Sequence, residues 1–70
     1  MKLEPIRSSA LRAVGYDRKH AVLAVEYESG AVYEYFDVPR SLYDDLLAAQ
    51  PHPWSVYGEE VKSHRFRQLS

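Results

Sequence analysis

Between Val22 and Phe36 the chain carries one pattern that restricts its fold more than any other: Val-Leu-Ala-Val-Glu-Tyr-Glu, then Ser29-Gly30, then Ala-Val-Tyr-Glu-Tyr-Phe. Leu23, Val25 and Tyr27 fall on one side of an extended chain, with Val22, Ala24, Glu26 and Glu28 on the other. That is the period of two of a half-buried strand. Gly30 supplies the positive φ that a tight hairpin requires. The returning strand, Ala31 to Phe36, alternates in the same way, with Ala31, Tyr33 and Tyr35 opposite Val32, Glu34 and Phe36. Directly joined strands bring their apolar faces together. Tyr33 and Tyr35 therefore join Leu23, Val25 and Tyr27, and the reverse face shows Glu26, Glu28 and Glu34.

A third strand precedes this hairpin, from Leu11 to Tyr16, closed by a turn at Asp17-Arg18-Lys19 and preceded by a short polar lead ending at Ser8-Ser9. After the hairpin, Pro39 stops the strand and can open a helix, where its missing N–H has no internal partner to lose. Leu42, Tyr43, Leu46 and Leu47 form an apolar stripe with Asp44 and Asp45 toward solvent, in a helix ending near Ala49-Gln50. Pro51-His52-Pro53 makes a rigid link, because a proline disfavours helix in the residue before it. Trp54, Tyr57 and Val61 then follow helical spacing to about Ser63, although Gly58 weakens that helix by up to about 1 kcal/mol relative to alanine. Phe66 and Leu69 are expected to pack back as a tail. The fold class is α+β: a three-stranded antiparallel meander followed by two helices on one face, in one domain spanning residues 1–70 with its core in 9–69.

Seventy residues leave room for a single domain close to the lower limit for a self-sufficient core. With no cysteine, disulfides and thiolate metal sites are excluded, and dense packing of nine aromatic residues is the remaining internal device. A monomer or weak homodimer is expected. The opening Met1-Lys2-Leu3-Glu4-Pro5 has no apolar signal region and no stretch approaches a membrane span, so a cytoplasmic protein without membrane association is expected. The net charge is −1, but it is unevenly spread: residues 1–20 and 61–70 are basic, while 21–60 hold eight acidic residues against Arg40 alone. Such asymmetry can mark an interaction surface and equally arises from solvated charge.

Three strings carry a family likeness: Ser9-Ala10-Leu11-Arg12-Ala13-Val14-Gly15-Tyr16-Asp17; Leu23-Ala24-Val25-Glu26-Tyr27; and Gly30-Ala31-Val32-Tyr33-Glu34-Tyr35-Phe36-Asp37-Val38-Pro39, followed by Tyr43 and Leu46. Over Ser9 to Gln50 the chain resembles the KTSC domain family, named for a segment at the C-terminus of some lysyl-tRNA synthetases and also found as small free-standing bacterial proteins. Gly15, Tyr16, Gly30, Tyr33, Tyr35 and Pro39 are the motif positions, expected to be structural. Pro51-His52-Pro53-Trp54 stands where members commonly carry Ser-x-Gly and an aromatic. The resemblance implies no established activity; its synthetase context suggests RNA binding, without aminoacylation chemistry.

Two aromatics at i and i+2, Tyr33 and Tyr35, could stack successive unpaired bases. Strand register favours core packing for them instead, with hydroxyls at the rim. The basic set Arg12, Arg18, Lys19, Lys62, Arg65 and Arg67, interleaved with Trp54, Tyr57 and Phe66, is the better candidate for nucleic acid, since cations beside aromatic faces suit phosphate contact plus stacking. The same side chains also read as solvated charge with buried stems. His20, His52 and His64, with Ser8 and Ser9, form no catalytic motif, and Asp44-Asp45 and Glu59-Glu60 point about 100° apart on their helices. His52 and His64 lack further ligands for a metal site. No phosphate-binding glycine loop exists. The expectation is a non-enzymatic binding module without cofactor, metal or evident small-molecule substrate, whose partner is RNA or a ribonucleoprotein; the alternative is a protein-interaction or self-association module.

Overall fold

A computed structural model describes residues 1–70. The elements run β1 (Glu4–Pro5), β2 (Leu11–Asp17), β3 (Val22–Tyr27), β4 (Val32–Tyr35), α1 (Arg40–Ala48), α2 (Pro53–Lys62) and β5 (Phe66–Gln68). The strands form one five-stranded antiparallel sheet in the order β1-β2-β3-β4-β5. The expected meander is its centre, β2-β3-β4.

The hairpin register follows the alternation: Leu23 faces Tyr35 and Val25 faces Tyr33, while Ala24 faces Glu34 on the reverse. Its loop is a turn closed by the Gly30 N–H donating to the Tyr27 carbonyl at 2.9 Å, with Gly30 at φ +96°. An L side chain resists that conformation. Leu11, Val14, Leu23, Val25 and Tyr35 from the sheet meet Val38, Leu42, Leu46 and Val61 in the core, together with Ile6. Asp44 and Asp45 are exposed. Pro39 occupies the N-cap of α1, one residue ahead of the first turn, whereas Pro53 sits inside the first turn of α2.

Two expectations are corrected. The N-terminal lead contributes β1 and the buried Ile6, tied to the end of α1 where the Arg7 N–H donates to Gln50 Oε1 at 2.8 Å. The C-terminal residues pack back only in part through their side chains: Phe66 is 57% and Leu69 49% exposed, and the Phe66 ring rests on Tyr33 and Tyr35. They also pair through the backbone, with the Phe36 N–H donating to the Arg65 carbonyl at 2.8 Å and the Leu69 N–H to the Val32 carbonyl at 2.7 Å. Unpaired main-chain groups along β4 supply the reason, since a sheet edge is a template for another strand.

An aromatic groove as candidate functional site

The two helices bury the sheet chiefly over β2 and β3, and Tyr35 is the single residue of β4 in the core. Beyond it the same face of β4 and β5 stays open. Strand alternation places Tyr33, Tyr35, Phe66 and Gln68 together there, since Tyr35 faces Phe66 and Tyr33 faces Gln68. The rings of Tyr33 and Tyr35 lie nearly parallel at 6.1 Å, and Phe66 tilts against Tyr33 at 5.6 Å. Tyr27 lies nearly perpendicular to Tyr33 at 5.5 Å and to Trp54 of α2 at the same separation. Such offset and edge-to-face contacts are the favoured aromatic geometries. Gly58 permits the arrangement on the helix side, where a Cβ would stand 3.1 Å from the Trp54 indole.

The rings of Tyr27, Tyr33, Tyr35 and Phe66 line a groove of about 380 Å³. Ser29 and Ala31 of the hairpin form one side, and Lys62, at the end of α2, is its one charged lining residue. The Tyr27 and Tyr35 hydroxyls share a 2.6 Å hydrogen bond, and the Tyr33 hydroxyl donates to Gln68 Oε1 at 3.1 Å. Burial pushes the Tyr27 phenol well above its ordinary value, with the hydrogen bond to Tyr35 adding to the rise; burial also raises that of Tyr35, partly offset by the same hydrogen bond. Both hydroxyls thus stay neutral across the physiological range.

The basic residues singled out in the sequence do not converge. Lys62 lines the groove, 3.8 Å from Glu59, while Trp54 packs on Tyr27 without lining it. Arg12 sits at a β2 irregularity between Leu11 and Ala13, 3.6 Å from Glu28. Arg67 crosses the reverse face to Glu34 at 2.7 Å, and Arg65 lies over the Phe36 ring at 5.1 Å, with Asp37 3.9 Å away. Of the carboxylates on that face, Glu34 is therefore paired by β5 and Glu28 by Arg12. Arg18 and Lys19 project from the β2–β3 turn, a strand length of roughly 20 Å from the hairpin that walls the groove. Of the groove residues, Tyr27 escaped the sequence reading as a site, and its signal was the face it shares with Tyr33 and Tyr35.

Two of the motif positions, with the neighbouring Asp17, make contacts away from the groove. Gly15 lets the N-terminal strand approach, Tyr16 reaches the Val38 carbonyl, and Asp17 Oδ1 accepts from the Lys19 and His20 N–H groups at 3.0 and 3.3 Å. His20 Nδ1 lies 2.8 Å from Asp17 Oδ2, and this hydrogen bond holds the Asp17 carboxyl below its ordinary range. His64 Nδ1 reaches the Phe36 carbonyl at 3.0 Å. No group of three or more His, Asp or Glu side chains stands close enough to hold a metal ion, and no helix is long and apolar enough to cross a membrane.

Fold and groove together define a small α+β module with a half-covered sheet. The chain belongs to the KTSC domain family, whose model matches residues 7–66 and so takes in α2 and the start of β5 as well as the motif region. A protein of Tsukamurella paurometabola is 40% identical over 68 residues, covering 97% of this chain and 98% of that one. A lysine–tRNA ligase of Nostoc punctiforme is 38% identical over 63 residues, which are 89% of this chain and 11% of the ligase. The crystal structure of a KTSC domain protein from Yersinia pestis shares the fold with a TM-score of 0.87 at 22% identity, covering 99% of this chain and 97% of the other.

Proposed function

We propose that this KTSC domain is a non-enzymatic module that binds single-stranded RNA, including unpaired regions of tRNA. The observation that carries it is the uncovered aromatic face of β4 and β5 beside Lys62. Proteins that take single strands use this combination, because every base offers a π-face to an aromatic ring and every linkage a phosphate to a cation. The similarity to a segment of a lysine–tRNA ligase supports the same direction. The neutral tyrosine hydroxyls give the groove no evident base or nucleophile, which favours binding over catalysis. Titration with a single-stranded RNA, followed by backbone amide signals at low and moderate salt, tests it. Salt-dependent shifts are expected at Tyr33, Lys62 and Phe66, extending to Arg65 and Arg67 if the strand wraps the β5 edge. No shifts at low salt would sink the proposal.

Association with a protein, or with a second copy, is favoured by a different observation: β5 is an exposed sheet edge carrying Phe66, with the exposed Leu69 just beyond it. A mass in solution that stays monomeric across concentration counts against self-association.

A further inference from the structure

We propose that the groove is a pocket for one unpaired nucleotide, its base lying against Tyr33 and Phe66 and its phosphate reaching Lys62; this rests on the RNA-binding reading. Volume comes first. A groove of about 380 Å³ lies near the lower end of ordinary small-ligand sites, roughly 300 to 1,000 Å³. It accommodates one base with its sugar and excludes a duplex or a helix. Shape comes next, because the partly exposed Tyr33 ring and the tilted Phe66 ring present flat surfaces, with the buried Tyr35 ring beneath them. A planar ligand meets such surfaces better than a branched aliphatic side chain does.

Charge selects between planar ligands. Lys62 is the one charged group of the lining, so it complements an anion attached to the ring and opposes a cation entering the groove. A nucleotide carries that pairing of flat ring and nearby negative charge.

The hydroxyls then decide how closely the base is read. The Tyr33 hydrogen is committed to Gln68, and one of the two hydrogens of the Tyr27–Tyr35 pair is committed within the pair. One hydroxyl hydrogen is left among three tyrosines. Base identity is therefore read weakly, and affinity should follow stacking strength, with purine at least equal to pyrimidine.

The experiment measures binding of six-nucleotide oligo(A) and oligo(U) to the full chain by amide shifts, in the wild type and in Phe66→Ala, Tyr33→Leu, Lys62→Gln and the pair Arg18→Gln/Lys19→Gln. Phe66 is largely exposed, so its truncation leaves the core in place, and the amide dispersion of each variant checks the fold. Both oligonucleotides should bind, oligo(A) at least as tightly as oligo(U). Phe66→Ala and Tyr33→Leu should each weaken binding about tenfold, within the range for loss of one base–aromatic stack. Lys62→Gln should weaken it and flatten its salt dependence, while the Arg18/Lys19 pair has little effect. If oligonucleotides bind but the groove variants bind as the wild type does, the pocket is refuted and RNA binding survives. If neither oligonucleotide shifts any amide at low salt, RNA binding itself is refuted, and the pocket with it.

Discussion

The Tyr16 hydroxyl donates to the Val38 carbonyl oxygen at 2.6 Å, joining β2 to the turn before α1 across 22 positions of sequence. The Tyr16 ring stacks on Tyr43 of α1 at 5.3 Å, and the Val38 N–H donates to the Ala21 carbonyl at 2.9 Å. The Gly-Tyr-Asp and Val-Pro strings are thus two halves of one joint. Tyr16→Phe keeps the ring stack and leaves the Val38 oxygen without its donor. A loss of about 1 kcal/mol is expected, the usual net worth of such a bond. Denaturant unfolding measures it, and an unchanged midpoint would mean that the hydroxyl contributes nothing to the joint.

Gly15 acts through space rather than through its dihedral angles. A Cβ there would lie 2.5 Å from the Lys2 carbonyl oxygen and 3.2 Å from Leu3 Cδ2. The oxygen belongs to the backbone leading into β1, so it cannot yield without disturbing that pairing. Gly15→Ala should therefore cost about 2 kcal/mol, in the range for overpacking. In a protein lacking residues 1–3 the same substitution should cost little. The four stabilities form a thermodynamic cycle, and an additive cycle would rule out the clash as the cause.

Ala21 is held at φ 55° between the β2–β3 turn and β3, where its carbonyl accepts from Val38. That region costs a residue with a Cβ roughly 1 to 2 kcal/mol. Glycine removes the clash while adding disorder to the unfolded chain. Ala21→Gly should stabilise the fold by about 1 kcal/mol, seen as a higher melting temperature. A lower one would show that unfolded-state entropy outweighs the relieved strain.

The sequence made the centre of the sheet and both helices legible because each carries a side-chain pattern. Alternation from Val22 to Phe36 located β3 and β4 to within a residue at most ends, and their shared apolar face yields the observed Leu23–Tyr35 and Val25–Tyr33 register. The Leu42 and Leu46 stripe likewise lies in the core. β1 and β5 are edge strands of two and three residues. They are held by main-chain bonds that any sequence can make, so neither periodicity nor composition marks them. The pairing on the reverse face is hidden for the same reason: Glu34 reads as an unpaired carboxylate until β5 brings Arg67 against it. The groove was hidden too, because Phe66 stands beside Tyr35 only once that strand is in place.

The raised phenol pKa values of Tyr27 and Tyr35 link stability to alkaline pH. An unfolded tyrosine loses its proton near its ordinary 10.0, while the folded pair holds its protons to higher pH. Above about 10 the unfolded chain therefore binds fewer protons than the folded one, and stability falls as pH rises. Between neutral pH and about 9 these two groups add no pH dependence. Melting temperature should show a decline beginning near 10, and Tyr27→Phe should make it shallower. Phenolate absorbance checks the same point, since Tyr27 and Tyr35 should ionise at higher pH in the folded protein than in the unfolded chain.

Tyr33 and Tyr35 lie two residues apart on one strand, yet they should answer truncation differently. Tyr35 is 3% exposed and packed in the core, whereas Tyr33 is partly buried at the groove. Tyr35→Ala removes a ring from a filled site and leaves the Tyr27 hydroxyl without its partner, at an expected cost of about 3 kcal/mol or more. Tyr33→Ala removes a ring with solvent on one side, and the cost should be nearer 1 kcal/mol, in proportion to the smaller area withdrawn from water. Equal losses would mean that the open face of β4 is as tightly packed as the covered one. A large loss at Tyr35 and a small one at Tyr33 would separate the residue that holds the sheet to its helices from the one left free to meet a ligand.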